Sequence, residues 1–148
     1  MEFVFRKLDP DNPEDIRQFN ELMDELSCQA ENQELLRERI RDMNGKEDRF
    51  LMAAEEKGTG RLCGSLMAVI FEDFCGDLRP IMVIENVVSG RRFRRQGVGR
   101  AMFSAIEDWW RERQVKYAIL CSGLKRKQAH SFYEAIGYSE IKGFKKYL

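Results

Sequence analysis

Apolar residues along this chain switch repeatedly between strand-like and helix-like spacing. Phe3-Val4-Phe5 reads as a short strand. Asp9-Pro10-Asp11-Asn12-Pro13 then supplies turn and N-cap chemistry, with Pro13 suited to a first helical turn. Ile16, Phe19, Leu22, Met23 and Leu26 recur at three- and four-residue spacing, which predicts an amphipathic helix. A second, more charged helix is predicted over Glu31 to Met43, with Leu35, Leu36, Ile40 and Met43 on a narrower apolar face and Gly45 as its stop.

Arg49 to Glu56 and Leu62 to Phe74 read as two strands of a hairpin around Lys57-Gly58-Thr59-Gly60. After a loop through Asp77 and Pro80, Ile81 to Val88 is a nearly continuous apolar run, as in a strand covered on both faces. Met102, Phe103, Ile106 and Trp109 or Trp110 mark a third helix, whose tryptophans read as core packing, and Tyr117 to Cys121 another buried strand. A fourth helix is predicted from about Lys127 to Ile136, ending at Gly137. The tail from Tyr138 to Tyr147 is expected to add one or two strands. The order β-α-α-β-β-β-α-β-α-β(β) belongs to the mixed α/β class.

The 148 residues, 43% hydrophobic and 34% charged, suit a single domain over residues 1–148. No apolar run approaches the roughly 20 residues that span a bilayer. The start MEFVFRKLDPD lacks a signal-peptide pattern, so no membrane partner and a cytoplasmic location are expected. Cys28, Cys63, Cys75 and Cys121 are scattered and His130 is the single histidine, so no metal site is expected. Charge is zero overall but uneven. Residues 1–88 hold 11 Lys/Arg against 20 Asp/Glu, and residues 89–148 hold 14 against 5. An anionic partner is therefore expected at the second half.

The segment Arg91-Arg92-Phe93-Arg94-Arg95-Gln96-Gly97-Val98-Gly99-Arg100 joins a buried strand to an amphipathic helix. Its glycines permit close backbone approach, and a first helical turn offers free amides and a favourable dipole to phosphate or pyrophosphate. The arginines add charge-assisted bonds. It is neither a P-loop nor a GxGxxG dinucleotide loop. A tight turn with solvated arginines is the plain alternative. Nucleic-acid binding is disfavoured, because no helix-turn-helix or RNA-recognition motif accompanies the arginines.

Ile84-Glu85-Asn86-Val87-Val88 followed by Arg94-Arg95-Gln96-Gly97-Val98-Gly99 resembles motif A, [QR]xxGx[GA], of the GNAT family of N-acetyltransferases. Arg126-Lys127-Gln128-Ala129-His130-Ser131-Phe132-Tyr133-Glu134-Ala135-Ile136-Gly137-Tyr138 resembles its motif B, AxxFYExxGF. Both lie in the family's order, and the resemblance covers nearly the whole chain. It implies a GNAT-like fold, with a central mixed and mostly antiparallel sheet flanked by helices. It also implies acetyl-CoA as acyl donor and an amine as acceptor, which attacks directly in a ternary complex.

By the same resemblance, Val87, Val88 and Ser89 bind the pantetheine arm in an opening towards the strand Tyr117 to Cys121. Arg94, Arg95, Gln96, Gly97, Val98, Gly99 and Arg100 cradle the pyrophosphate. Ser89-Gly90 departs from the family's usual pair, and Arg126 stands where relatives often carry a pantetheine-binding Asn. Lys125 and Lys127 flank that position. Tyr133 is the implied proton donor to the leaving thiolate, its alternative being an aromatic core residue. Dimerisation is common in similar proteins, although nothing in the sequence specifies an interface.

Glu85 interrupts an apolar strand, where an ionised carboxylate is costly unless the face is open, paired or functional. It is the general-base candidate, with substrate binding or structural pairing as alternatives. Asn86 points to the opposite face if the strand is regular. His130 is expected to be structural, and Cys121 to line the cleft. Glu25, Glu31, Glu34, Glu38, Asp42, Glu72, Asp73 and Asp77 form either an acidic rim for a cationic amine or ordinary solvated faces. A catalytically idle acyl-CoA-binding sensor remains the competing function.

Overall fold

Alternation along the strands assigns each side chain to one of two cores. In the computed structural model, which describes residues 1–148, five strands form one sheet in the order β1-β2-β3-β4-β5. They are β1 (Phe3–Lys7), β2 (Arg49–Glu56), β3 (Leu62–Phe71), β4 (Ile81–Ser89) and β5 (Ala118–Leu120). Pairings from β1 to β4 are antiparallel, and β5 joins β4 in parallel. The helices are α1 (Pro13–Leu26), α2 (Gln33–Asn44), α3 (Val98–Glu112) and α4 (Lys127–Ala135). The sheet is thus mixed and mostly antiparallel, as the resemblance implied.

Leu51 and Ala53 of β2 pack with Ile16, Phe19, Leu22 and Ile40 from α1 and α2. Their neighbours Met52 and Ala54 pack on the other face with Met102, Phe103 and Ile106 of α3. Covering both faces is what the apolar run of β4 requires. No helix is long and apolar enough to cross a membrane. No group of three or more His, Cys, Asp or Glu side chains is placed to hold a metal ion.

Asparagines begin the first two helices. Asn12 Oδ1 accepts the Glu14 N–H at 3.0 Å just ahead of Pro13, and Asn32 Oδ1 accepts that of Leu35 at 3.0 Å. The second cap starts α2 at Gln33, two residues later than expected. Asp15 of α1 is buried, and Arg6 of β1 donates to both its carboxylate oxygens at 2.7 and 2.8 Å. Burial pushes this carboxyl's pKa up, but Arg6 and the Asp9 amide outweigh it and hold the group below its ordinary value.

β3 leaves no room for a side chain at Gly64, between β4 and α3. A Cβ there would lie 2.7 Å from the Val88 carbonyl oxygen and 3.0 Å from a Val98 methyl. Backbone cannot yield as a side-chain tip does. Gly64→Ala is expected to destabilise the fold by about 1–3 kcal/mol through overpacking. In thermal unfolding that appears as a Tm lower by about 3–10 °C; an unchanged Tm would show that the two strands part without cost.

The expected final strand does not form. Residues 138–148 adopt no regular secondary structure, and residues 139–148 are all exposed. Tyr138, Ile141, Phe144 and Tyr147 recur every three residues, whereas a pleated strand places alternate residues on one face. A strand here would turn successive apolar groups to opposite sides. β5 is likewise shorter than the apolar run Tyr117 to Cys121 that marked it.

Candidate active site

The site is built around an irregularity in β4. Ser65 lies opposite Val88 and Met67 opposite Glu85, so β4 carries one more residue than β3 across this interval. Asn86 takes φ of 54°, in the left-handed region that asparagine tolerates better than most residues. The bulge leaves Glu85 and Asn86 both exposed, and breaks the alternation that would have sent Asn86 to the opposite face.

β5 pairs with Met82, Val83 and Ile84 and stops there. From Glu85 to Ser89, the edge of β4 turned away from β3 has no strand partner. A ligand with amide groups can add to such an edge. Val87 and Ser89 are half-buried along it, while the Val88 side chain is buried in the core beneath α1. Val88 therefore offers only its main chain.

The loop after β4 is fixed at its start. Gly90 N–H donates to the Cys63 carbonyl at 2.7 Å, and Arg91 N–H donates to Glu25 Oε2 at 2.9 Å. Arg91–Phe93 makes one 3-10 turn, and the Gln96 side-chain amide donates to the Arg92 carbonyl at 3.0 Å. Arg95 and Gly97 then take φ of 62° and 85°, turning the chain into α3. The first long helical bond is Ala101 N–H to Gly97 O, so the amides of Val98, Gly99 and Arg100 have no partner within the helix.

Arg91, Arg92, Arg94, Arg95 and Arg100 are exposed, and no ion pair engages any of them. Val98 is buried in the core, so it too can act only through its main chain. Gly99 faces Phe132 of α4, where a Cβ would lie 3.1 Å from the ring. This close packing brings the start of α3 against the helix that carries Tyr133. Amides, positive charge and a helix N-terminus thus converge with no carboxylate paired to the arginine side chains, an arrangement suited to a pyrophosphate.

Tyr133 is half-buried, its ring edge-on to Phe103 at 5.8 Å and to Phe132 at 5.5 Å. Burial raises its pKa; Arg126 at the start of α4 opposes this, and the negative charge of Glu85 adds to it. The phenol therefore keeps its proton at neutral pH. The structure thus brings Tyr133, Arg126 and Glu85 into one electrostatic neighbourhood beside the unpaired edge of β4. His130 Nε2 lies 2.8 Å from the Gly123 carbonyl, a structural clasp on the loop before α4.

The acidic rim divides. Asp73 and Asp77 pair with Lys116 at 2.8 and 3.6 Å, and Asp42 pairs with Lys46 at 2.9 Å. Glu25, assigned to that rim on the sequence, instead holds the loop. No pattern of spacing signals a contact 66 residues away. A surface cavity of about 980 Å³ lies between α1, the β2–β3 turn and Gly90–Phe93. It meets only the start of the loop and includes neither Glu85 nor Tyr133.

Comparison with known proteins agrees with this architecture. The profile of the acetyltransferase (GNAT) family matches residues 14–138. The uncharacterized N-acetyltransferase YhdJ of Bacillus subtilis (strain 168) is 31% identical over 113 residues, 76% of this chain and 75% of that protein. Glucosamine-6-phosphate N-acetyltransferase from Arabidopsis thaliana superposes with a TM-score of 0.83 over 99% of both chains, at 24% identity. AAC(6')-Iy, solved with the bisubstrate analog CoA-S-monomethyl-acetylneamine, superposes with a TM-score of 0.79 at 15% identity, over 100% of this chain and 98% of its own. These two likenesses carry the fold, and the sequence match carries the kinship. The chain belongs to the GNAT family of acetyltransferases.

Proposed function

We propose that this protein transfers an acetyl group from acetyl-CoA to a primary amine, of a small molecule or a peptide, by direct attack in a ternary complex. One observation carries the reading. An exposed carboxylate, Glu85, stands where β4 and β5 stop pairing, and its charge reaches the protonated phenol of Tyr133, on the helix packed against the loop of free amides and unpaired arginines. The bisubstrate complex of the fold neighbour AAC(6')-Iy joins coenzyme A to an amine acceptor, which accords with a two-substrate site of this kind.

Acetyl-CoA supplies the activated acetyl thioester. The residues present fit it. Val87, Val88 and Ser89 offer main-chain groups to the amides of the pantetheine arm, and Arg126 flanks the same gap. The amides from Arg95 to Arg100 receive the pyrophosphate, and the side chains of Arg94, Arg95 and Arg100 balance its charge. Gln96 and Gly97 shape the turn, and Gly99 lets the ligand-binding helix sit tightly on α4. Glu85 takes a proton from the acceptor's ammonium and so frees the neutral amine to attack, because an alkyl amine is mostly protonated at pH 7. Tyr133 gives its proton to the departing thiolate. Glu31, Glu34, Glu38 and Glu72, which form no ion pair, favour a cationic acceptor.

Thermal unfolding with acetyl-CoA, followed by assay of thiol release with a panel of amines, tests this. Saturation near 100 times Kd stabilises the folded state by about 2.7 kcal/mol, a Tm rise of about 5–10 °C. A rise accompanied by amine-dependent thiol release is the expected result. A rise with no release for any amine would favour an acyl-CoA sensor, and no rise would remove the coenzyme site.

A further inference from the structure

We propose that this chain is also its own acceptor: Lys145, on the C-terminal tail, receives an acetyl group at the centre formed by Glu85 and Tyr133. This rests on the acetyl-CoA reading above and adds a modification site to it.

The tail is anchored at Tyr138, whose N–H donates to the Tyr133 carbonyl at 2.9 Å and whose ring packs on Phe103 at 5.7 Å. From there it crosses the end of β5. A Cβ on Gly143 would lie 3.5 Å from Cys121 Sγ. Cys121 follows Leu120, which is in register with Ile84, and Glu85 follows Ile84. The crossing point is therefore level with Glu85, at the mouth of the gap. Lys145 lies two residues further on, close enough to feel the charge of Glu85.

The electrostatics agree with this geometry. Tyr147 is the main influence raising the pKa of Lys145, and the Glu85 carboxylate adds to it. The same carboxylate acts on Tyr133. One carboxylate thus acts on both a lysine amine and the phenol. Lys145 Nζ rests 4.9 Å from the centre of the Tyr147 ring. Lys142 precedes the crossing and stands over the Phe144 ring at 5.6 Å.

The step balances with the groups named. Glu85 accepts a proton from the Lys145 ammonium, and the freed amine forms an N–C bond to the acetyl carbonyl. The C–S bond of the thioester breaks and the thiolate takes the Tyr133 proton. The second proton lost by the attacking nitrogen returns to the Tyr133 oxygen, giving acetyl-lysine and free coenzyme A, and Glu85 releases its proton to solvent. The acetylated side chain has lost its positive charge and its attraction to Glu85, which clears the centre for an external amine.

Peptide-resolved mass spectrometry of the full-length protein incubated with acetyl-CoA, at several protein concentrations, tests the proposal. Acetylation of Lys145 is expected to be at least about tenfold faster than that of Lys142 or Lys146, and first-order at a rate independent of protein concentration, as for a positioned intramolecular acceptor. Lys145→Arg is expected to remove the addition, Lys142→Arg to leave it, and Glu85→Gln to slow it. Equal labelling of the three lysines, or a rate that scales with concentration, overturns the proposal. So does an unlabelled Lys145 in protein that releases coenzyme A to an added amine, and there the acetyltransferase reading survives. Protein whose Tm does not respond to acetyl-CoA and that releases no thiol defeats both readings.

Discussion

Replacing Glu85 with Gln is expected to lower kcat at neutral pH by about 10²–10³-fold, the range of a lost general base, with acetyl-CoA affinity changed by less than about twofold. Gln keeps the size and polarity of the side chain at an exposed position of β4. It removes the proton acceptor and nothing from the core, so the Tm should stay within about 2 °C of the parent. The coenzyme contacts proposed for Val87 to Ser89 and for the loop are main-chain or arginine contacts, which the change does not touch.

The pH profile separates a base from a mere binding group. An alkyl amine with pKa near 10.4 loses its own proton as pH rises. The Glu85→Gln defect should therefore shrink progressively above about pH 8, because the solvent then supplies the neutral nucleophile. A defect that appears wholly in KM, or one that stays constant from neutral to alkaline pH, would assign Glu85 to acceptor binding. A variant with the parent's kcat throughout would remove it from the mechanism.

Glu85 also shows how far the sequence could be read. A single acid inside Ile81 to Val88 was conspicuous against its apolar neighbours, so its segment was legible. The extra residue of β4 was not. A bulge depends on the register with β3, and both strands remain equally apolar with or without it. The same holds for the loop. Glycines and arginines marked its place, although not the start of α3 at Val98. The Glu25 carboxylate that fixes Arg91 comes from another helix and carries no local signal. The gap between β4 and β5 was implied by the family resemblance alone, because apolar runs do not disclose where two parallel strands stop pairing. The tail was expected to add a strand, but the three-residue spacing of Ile141, Phe144 and Tyr147 contradicts the pleat. Periodicity was the better guide there.

Tyr133→Phe is expected to lower kcat by about 10²-fold, the lower end of general acid catalysis, while leaving the fold intact. Phe preserves the edge-on packing against Phe103, Phe132 and Tyr138, so the ring's structural contribution survives and only the hydroxyl is lost. The sign of the pKa shift fixes the direction of proton flow. Burial raises the phenol and the Glu85 charge adds to it, with Arg126 pulling the other way, so the net shift is upward from 10.0. The group is protonated throughout the neutral range and begins the reaction as a donor. A thiolate leaving without that proton departs as a charged species into a gap flanked by aromatic rings, which raises the barrier. The loss should appear in kcat, with the acetyl-CoA-induced rise in Tm unchanged. Equal kcat in the variant would return Tyr133 to the core as an aromatic spacer. An equal loss of coenzyme binding would instead make its hydroxyl part of the ground-state site.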